Sequence, residues 1–231
     1  MHGDRVLFLD GEALVIDKPA GLPVDRPRDG SLSLENHIES LMFGFRRVPT
    51  AVHRLDRDTS GCLLLARNPK AHGRYQRVFE SGLVEKTYLA ILEGVPEAEE
   101  GLIDLPLAKV STEAEGWRMI GDPKGKPSRT AWRVLRVADG RSLVEFKPET
   151  GRTHQIRVHA LEGLGVPVVG DPVYGQADKG GMMLHAIRLV VPREGKASIE
   201  ADAPWPERFT AAGFGPGDKY VTPVARIATG S

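Results

Sequence analysis

The sequence predicts an α+β domain built on a mainly antiparallel mixed sheet flanked by helices and loops. Three observations carry this. Segments with strand character outnumber those with helical periodicity, most connections between them are of hairpin length, and no linker, internal repeat or low-complexity block divides the chain. A single domain over 1–213 is therefore expected, with 214–231 as a poorly ordered tail. At 231 residues the chain is long enough to bury a substantial core.

Val6 to Leu9, the Asp10-Gly11 pair and Ala13 to Ile16 read as strand, tight turn and strand. Pro19, Gly21 and Pro23 then impose an irregular loop. Ser33 is a capping residue ahead of Leu34, Ile38 and Leu41 at helical spacing, which predicts a short amphipathic helix ending at Met42. Val52 to Leu65 reads as strand, turn, strand. Asn68 followed by Pro69 is an N-cap and first-turn pair and Gly82 supplies the stop, so 69–80 is expected to be a helix that exposes Arg74 and Arg77. Strands follow at about 84–92, 130–137 and 142–147, with a Gly- and Pro-rich stretch at 121–128 read as a mobile loop. Thr153 to Leu161 reads as a helix ended by Gly163 and Gly165. Further strands are expected near 182–191 and 197–201, and a short helix over Trp205 to Ala212.

A hydrophobic share of 41% and a charged share of 27% are those of a globular protein. No apolar run approaches the about 20 residues that a membrane-spanning helix needs. Val6-Leu7-Phe8-Leu9 is too short for a signal-peptide core, so a cytoplasmic location is expected. The single cysteine, Cys62, excludes an intrachain disulfide and opens an apolar strand, where a small buried thiol is expected. The 31 basic and 31 acidic residues cancel, which by itself argues against a polyanionic partner. Their distribution argues the other way: from Arg46 to Arg77 eight basic residues face two acidic ones. Such a stretch is either a solvated face or a surface that tracks phosphates.

Inside it lies His53-Arg54-Leu55-Asp56-Arg57-Asp58-Thr59-Ser60-Gly61, followed by the apolar run from Cys62 to Ala66. Asp56 has Arg54 and Arg57 as near neighbours and a Thr-Ser-Gly turn behind it, groups that can hold a carboxylate ionised and aimed outward. The same residues also read as a surface hairpin turn with a solvated charge cluster. Four further blocks bear on the choice. They are Val15-Ile16-Asp17-Lys18-Pro19-Ala20-Gly21-Leu22-Pro23-Val24, Lys86-Thr87-Tyr88-Leu89-Ala90, the run from Thr150-Gly151-Arg152-Thr153-His154-Gln155-Ile156-Arg157 to His159, and Gly170-Asp171-Pro172-Val173-Tyr174-Gly175. Leu184-His185-Ala186 is a sixth. Taken together and in this order, they resemble the motifs of the RluA-type pseudouridine synthases, from about Leu14 to Val191.

The resemblance implies the pseudouridine synthase fold and the conversion of uridine in RNA to its C-glycoside isomer. That reaction breaks a C–N glycosidic bond, turns the uracil and rejoins it through C5, so it calls for no cofactor and no metal, only a carboxylate and a closed pocket. It implies Asp56 as the reacting carboxylate, Arg157 as its fixed cation and Tyr88 as an aromatic that stacks on the extruded base. Arg54 then either fills the gap left by the flipped nucleotide or contacts a phosphate. His53, Arg57, Arg74, Arg77, Arg152, His154 and Gln155 complete the expected RNA contacts. The implied partner is a stem-loop of transfer or ribosomal RNA, bound by a monomer with no obligatory protein partner and no membrane.

Two other readings compete. A metal-dependent nucleotide hydrolase is suggested by His53, Asp56, His154 and His159. However, His154 and His159 are five positions apart, about 140° around a helix, and cannot share a metal as an i, i+4 pair does. A non-catalytic RNA-binding module would keep the basic stretch and lose the catalytic positions, which are all present here.

Overall fold

The computed structural model describes residues 5–27, 29–112 and 116–220. Twelve strands are described: β1 (Val6–Leu9), β2 (Ala13–Lys18), β3 (Thr50–Ala51), β4 (Ser60–Ala66), β5 (Glu85–Leu92), β6 (Glu100–Asp104), β7 (Leu107–Thr112), β8 (Gly116–Gly121), β9 (Arg129–Ala138), β10 (Arg141–Pro148), β11 (Leu184–Arg193) and β12 (Lys196–Asp202). The helices are α1 (Pro69–Glu80), α2 (Gln155–Val158) and α3 (Glu207–Ala211). One ten-stranded sheet runs β1-β2-β4-β11-β5-β10-β9-β6, with β12 paired to β11 and β3 to β4, while β7 and β8 form a separate hairpin. Among the described strands only β4 and β11 pair in parallel. Among the described residues, no helix is long and apolar enough to cross a membrane.

The centre of this sheet follows from the sequence. Every residue of β4 is buried, which is why it reads as an unbroken apolar run rather than an alternating one. Its start lies against β11 so closely that a Cβ on Gly61 would stand 2.2 Å from the Ala186 oxygen, and the backbone there takes φ +106. Ala186 in turn pairs with Tyr88 of β5, so Gly61, Ala186 and Tyr88 form one row across three strands. That register brings the turn before β4 beside Tyr88. Helix α1 is capped as its sequence predicts: the Asn68 side chain accepts the Ala71 N–H at 2.9 Å, and Tyr75 and Ala71 face a core shared with β2, β4 and β12.

Five expectations are corrected. Strands β6, β7 and β8 occupy a stretch with no foreseen element. Strand β6 is an edge with only Ile103 buried, and the β7–β8 hairpin packs Leu107 and Met119 on Val158 and Tyr174 instead of on the main core, so neither shows a clean alternation. The stretch read as a mobile loop at 121–128 is a bonded turn: Leu107 and Lys126 exchange hydrogen bonds of 2.9 and 2.8 Å, and Asp122 N–H reaches Pro106 O at 2.8 Å. The helix expected over 153–161 starts and ends later, because His154 sits in the left-handed region (φ 54) and α2 starts only after it, then widens into a π turn over His159–Gly163. The segment over Ser33–Met42 is a 3-10 helix, Leu34–Leu41. In the expected tail, Phe214 is buried and Arg136 Nη1 bonds Asp218 at 2.8 Å, so 214–218 is packed on the sheet, while 221–231 lies outside the described residues.

Candidate active site

The turn after Leu55 hangs between two anchors. On one side Lys18, fully buried at the end of β2, donates to the carbonyls of Pro19 and Leu22 at 2.8 Å and of Arg57 at 3.0 Å. Burial pulls this ammonium down to about 7, against the favourable Asp58 and Asp56 charges. On the other side Ser60 Oγ receives Arg208 Nη2 at 2.7 Å and lies 2.8 Å from His185 Nδ1, tying the start of β4 to α3 and β11. The hydroxyl expected to serve Asp56 is thus committed elsewhere.

Asp56 faces a cleft of about 530 Å3 lined by the 53–56 turn, Lys86 and Tyr88 of β5, the 148–153 connection and α2. Its cation is Arg157, whose Nη1 lies 3.2 Å from Asp56 Oδ2. Arg157 is itself clamped from behind: Nε and Nη2 donate to the two oxygens of Asp171, each at 2.7 Å. Asp171 is fully buried and also accepts the amides of Val173 (2.8 Å) and Tyr174 (3.0 Å). Burial pushes the Asp171 carboxyl up, but Arg157 and those amides overcome it and hold it below the usual carboxylate range. Two side chains, Arg157 and His154 (Nε2 at 3.9 Å), face Asp56 Oδ2. Among the described residues Oδ1 has no hydrogen-bond partner and is left to the cleft.

Tyr88 lines the same cleft, and burial, reinforced by the Asp56 charge, pushes its phenol up, so it stays protonated. Lys86, two residues earlier on the same face, bonds Thr150 O at 3.0 Å and is pulled down to about 8 by burial. Asp56, Tyr88 and Arg157 therefore line one cleft.

The expected RNA contacts divide. Arg54 and Arg152 are exposed at the cleft rim, Arg54 paired with Asp25 at 3.1 Å and Arg152 bonding Pro127 O at 3.1 Å. Neither Arg54 nor Arg57 holds Asp56, since Arg57 forms a fork with Asp58 at 3.0 and 3.1 Å. His53 is a wall: its Nε2 accepts the Leu64 N–H at 3.0 Å, its ring stacks on Phe79, and burial takes it down to about 4. Gln155 is a bracket whose amide oxygen accepts from Thr150 Oγ1 and Arg152 N–H while its nitrogen donates to Arg129 O and Thr130 Oγ1. Arg74 pairs with Glu12 at 2.7 Å, outside the cleft, and Arg77 is exposed on α1. Arg67, counted in the basic stretch, is buried over Phe45 and bonds Met42 O at 2.6 Å.

His159 is buried between Thr130 and Leu105 O, apart from the cleft, and among the described residues no cluster of His, Cys, Asp or Glu could hold a metal. The Cys62 thiol is buried and pushed up to about 12. Sequence reasoning missed Asp171 and Lys18 as working parts. The signal for Asp171 was there: an Asp followed by Pro in a turn, able to accept the amides that follow it.

The α+β sheet thus gathers a carboxylate, a clamped arginine and a tyrosine in one cleft. Two solved human structures share the architecture: RNA pseudouridylate synthase domain containing 4, with TM-score 0.75, 25% identity and coverage of 90% of both chains, and RNA pseudouridylate synthase domain containing 1, with TM-score 0.74, 33% identity and coverage of 87% of this chain and 83% of that one. The model of the RNA pseudouridylate synthase family matches residues 12–162, and the chain belongs to that family. It is 61% identical over 213 residues to an uncharacterised RNA pseudouridine synthase of Zymomonas mobilis, covering 91% of this chain and 97% of that protein. It is 34% identical over 223 residues to the ribosomal large subunit pseudouridine synthase D of the same organism, covering 88% of this chain and 69% of the relative.

Proposed function

We propose that this chain isomerises uridine to pseudouridine in a structured region of ribosomal or transfer RNA, with Asp56 as the reacting carboxylate. One observation carries the reading: Asp56 is held on one oxygen by a clamped arginine and presents the other to the cleft beside Tyr88. The planar guanidinium of Arg157, clamped by Asp171, fixes the direction of the carboxylate it holds. Oδ1 then meets the ribose at the sugar–base bond, the neutral Tyr88 ring supports the detached uracil, and the closed wall of α2 retains the base until C5 replaces N1. The C1′–N1 bond breaks and the C1′–C5 bond forms, C5 gives up its proton and N1 gains one, so the composition is unchanged and no water has to be activated by a second carboxylate.

A base inside a stem is out of reach of Asp56 until it is extruded. Arg54, at the rim, occupies the space it leaves, and Arg152 holds phosphate. The ribosomal large subunit relative supports a ribosomal target. We read 1–213, together with the packed 214–218 stretch, as one catalytic unit acting as a cytoplasmic monomer, supported by the continuous sheet and the lone buried cysteine. The test is to incubate purified protein and chelator with uridine-containing ribosomal and transfer RNA and map pseudouridine, alongside total RNA from cells with and without the gene. New pseudouridine made by wild type and not by Asp56→Asn is expected. No product, or equal product from both, would overturn the proposal.

A further inference from the structure

The roles above leave the β7–β8 hairpin and Tyr174 without a part in the chemistry, yet both converge on His154. The Trp117 ring stacks on the imidazole at 5.1 Å and 28°, carries the Lys109 ammonium 5.0 Å from its centre, and is half-exposed. The Tyr174 hydroxyl lies 3.0 Å from His154 Nδ1 and accepts the Met119 N–H at 2.9 Å. The hairpin is docked firmly, with Leu107 and Met119 packed on Val158 and Tyr174. The histidine backbone takes the left-handed region (φ 54, ψ 19), a conformation uncommon outside glycine that histidine adopts more readily than most residues.

These contacts fix the ring's protons. Among the described residues, the acceptor that faces the phenolic proton of Tyr174 is His154 Nδ1. With Tyr174 as the donor to Nδ1, the one proton of a neutral imidazole sits on Nε2. Nε2 is the atom that faces Asp56 Oδ2, at 3.9 Å. Burial holds the imidazole below its usual range despite the Asp56 charge, which keeps it neutral.

Resting on the proposed reaction, we infer that His154 is a positioning residue. As a neutral imidazole protonated on Nε2 and locked by Tyr174 and Trp117, it closes a hydrogen bond to Asp56 Oδ2 when RNA fills the cleft and so keeps Oδ1 turned to the ribose. A separation of this size in the free enzyme is the kind that tightens on substrate binding. Arg157 supplies charge and His154 supplies direction.

Side chains of two lengths test this. Glutamine places its amide nitrogen where Nε2 stands, whereas asparagine ends near Nδ1 and also tolerates the left-handed backbone. His154→Asn is expected to lower kcat about ten- to a hundredfold with KM for RNA unchanged, and His154→Gln to stay within about threefold of wild type. Nitrogen NMR of 15N-histidine protein, with the signal assigned by its loss in His154→Asn, should show the Nε2–H tautomer, and Tyr174→Phe should mix the tautomers and lower kcat. Equal losses in the Asn and Gln variants, or an Nδ1–H tautomer in wild type, would overturn the inference. The NMR reading needs no turnover. A protein with the Nε2–H tautomer that makes no pseudouridine would instead overturn the proposed reaction, and the positioning role with it, while the ring geometry stood.

Discussion

Two depressions of similar size, about 530 and about 570 Å3, share the rim residues Gly82, Lys86, Pro148 and Glu149 and could hardly differ more in their charges. In the larger one, on the strands β5, β9, β10 and β11, each arginine answers a carboxylate near the surface: Arg133 lies 3.1 Å from Glu145, and Arg188 lies 2.7 Å from Glu200. Those pairs are solvated on at least one side and neutralise one another. In the smaller one Arg157 is 6% exposed, its rear partner Asp171 is fully buried, and its front partner Asp56 is 26% exposed. The difference lies in burial, not in volume or composition. A solvated pair is worth about 0 to 1 kcal/mol and constrains little, whereas a buried one is hard to break from either side and so sets geometry. The Asp171–Arg157–Asp56 line converts a buried charge into the aim of an exposed one.

The largest expected effect breaks that line at its working end. Asp56→Asn should lower turnover by more than about a thousandfold while RNA affinity stays almost intact, because one cleft carboxylate contributes little to a phosphate-dominated interface. Single-turnover rates and a binding titration measure both. Residual turnover within tenfold of wild type would remove Asp56 from the chemistry.

Breaking the line at its rear should cost stability as well. Asp171→Asn leaves the buried guanidinium half-paired and is expected to destabilise the fold by about 3 to 4 kcal/mol, read from urea midpoints, with a fall in kcat as Arg157 relaxes. The pH dependence has a definite sign. The folded Asp171 carboxyl titrates below its unfolded value, so as pH falls the unfolded chain takes up the proton first. Its stabilisation is present above the usual carboxylate range and is lost as pH drops through the lowered value. The wild-type stability curve should slope there, and the Asn variant should lack that part of the slope.

How much of this was legible follows the same division. Asp56, Tyr88 and Arg157 were readable because motif order survives folding, as were α1 with its Asn68 cap and the buried β4 run. Which cation meets which carboxylate was not. Asp56 and Arg157 are 101 residues apart, and the nearer Arg54 and Arg57 take Asp25 and Asp58 instead. Local spacing also cannot tell a polar side chain facing RNA from one consumed inside, as with Gln155, His53 and Arg67. The β7–β8 hairpin escaped notice because its apolar residues pack on a short helix that the sequence delineates poorly.

Arg54 gives a medium-sized test at the rim. It is exposed and pairs with the exposed Asp25, so it can leave that partner at little cost. If it fills the space of the flipped uridine, Arg54→Ala should reduce single-turnover rates on a stem-loop about tenfold more than on an unstructured oligonucleotide, where little stacking has to be replaced. Equal losses on both would leave it as a phosphate contact.

The smallest effect sharpens the comparison most directly, since it sets one arginine from each depression against the other. Arg152 lies at the rim of the cleft, anchored through Nε to a backbone oxygen and not to a carboxylate, so its charge remains available to phosphate. Arg133 lies in the groove with Glu145 already beside it. Each phosphate contact releases about one counterion, so Arg152→Gln should weaken RNA binding by a similar factor for different sequences and flatten the slope of log affinity against log salt by about one unit. Arg133→Gln should leave that slope unchanged and shift stability by less than about 1 kcal/mol. Filter-binding titrations at four salt concentrations would separate the two. If Arg133 carried the salt dependence and Arg152 did not, the RNA would lie across the back of the sheet, and the buried clamp behind Arg157 would have no substrate in front of it.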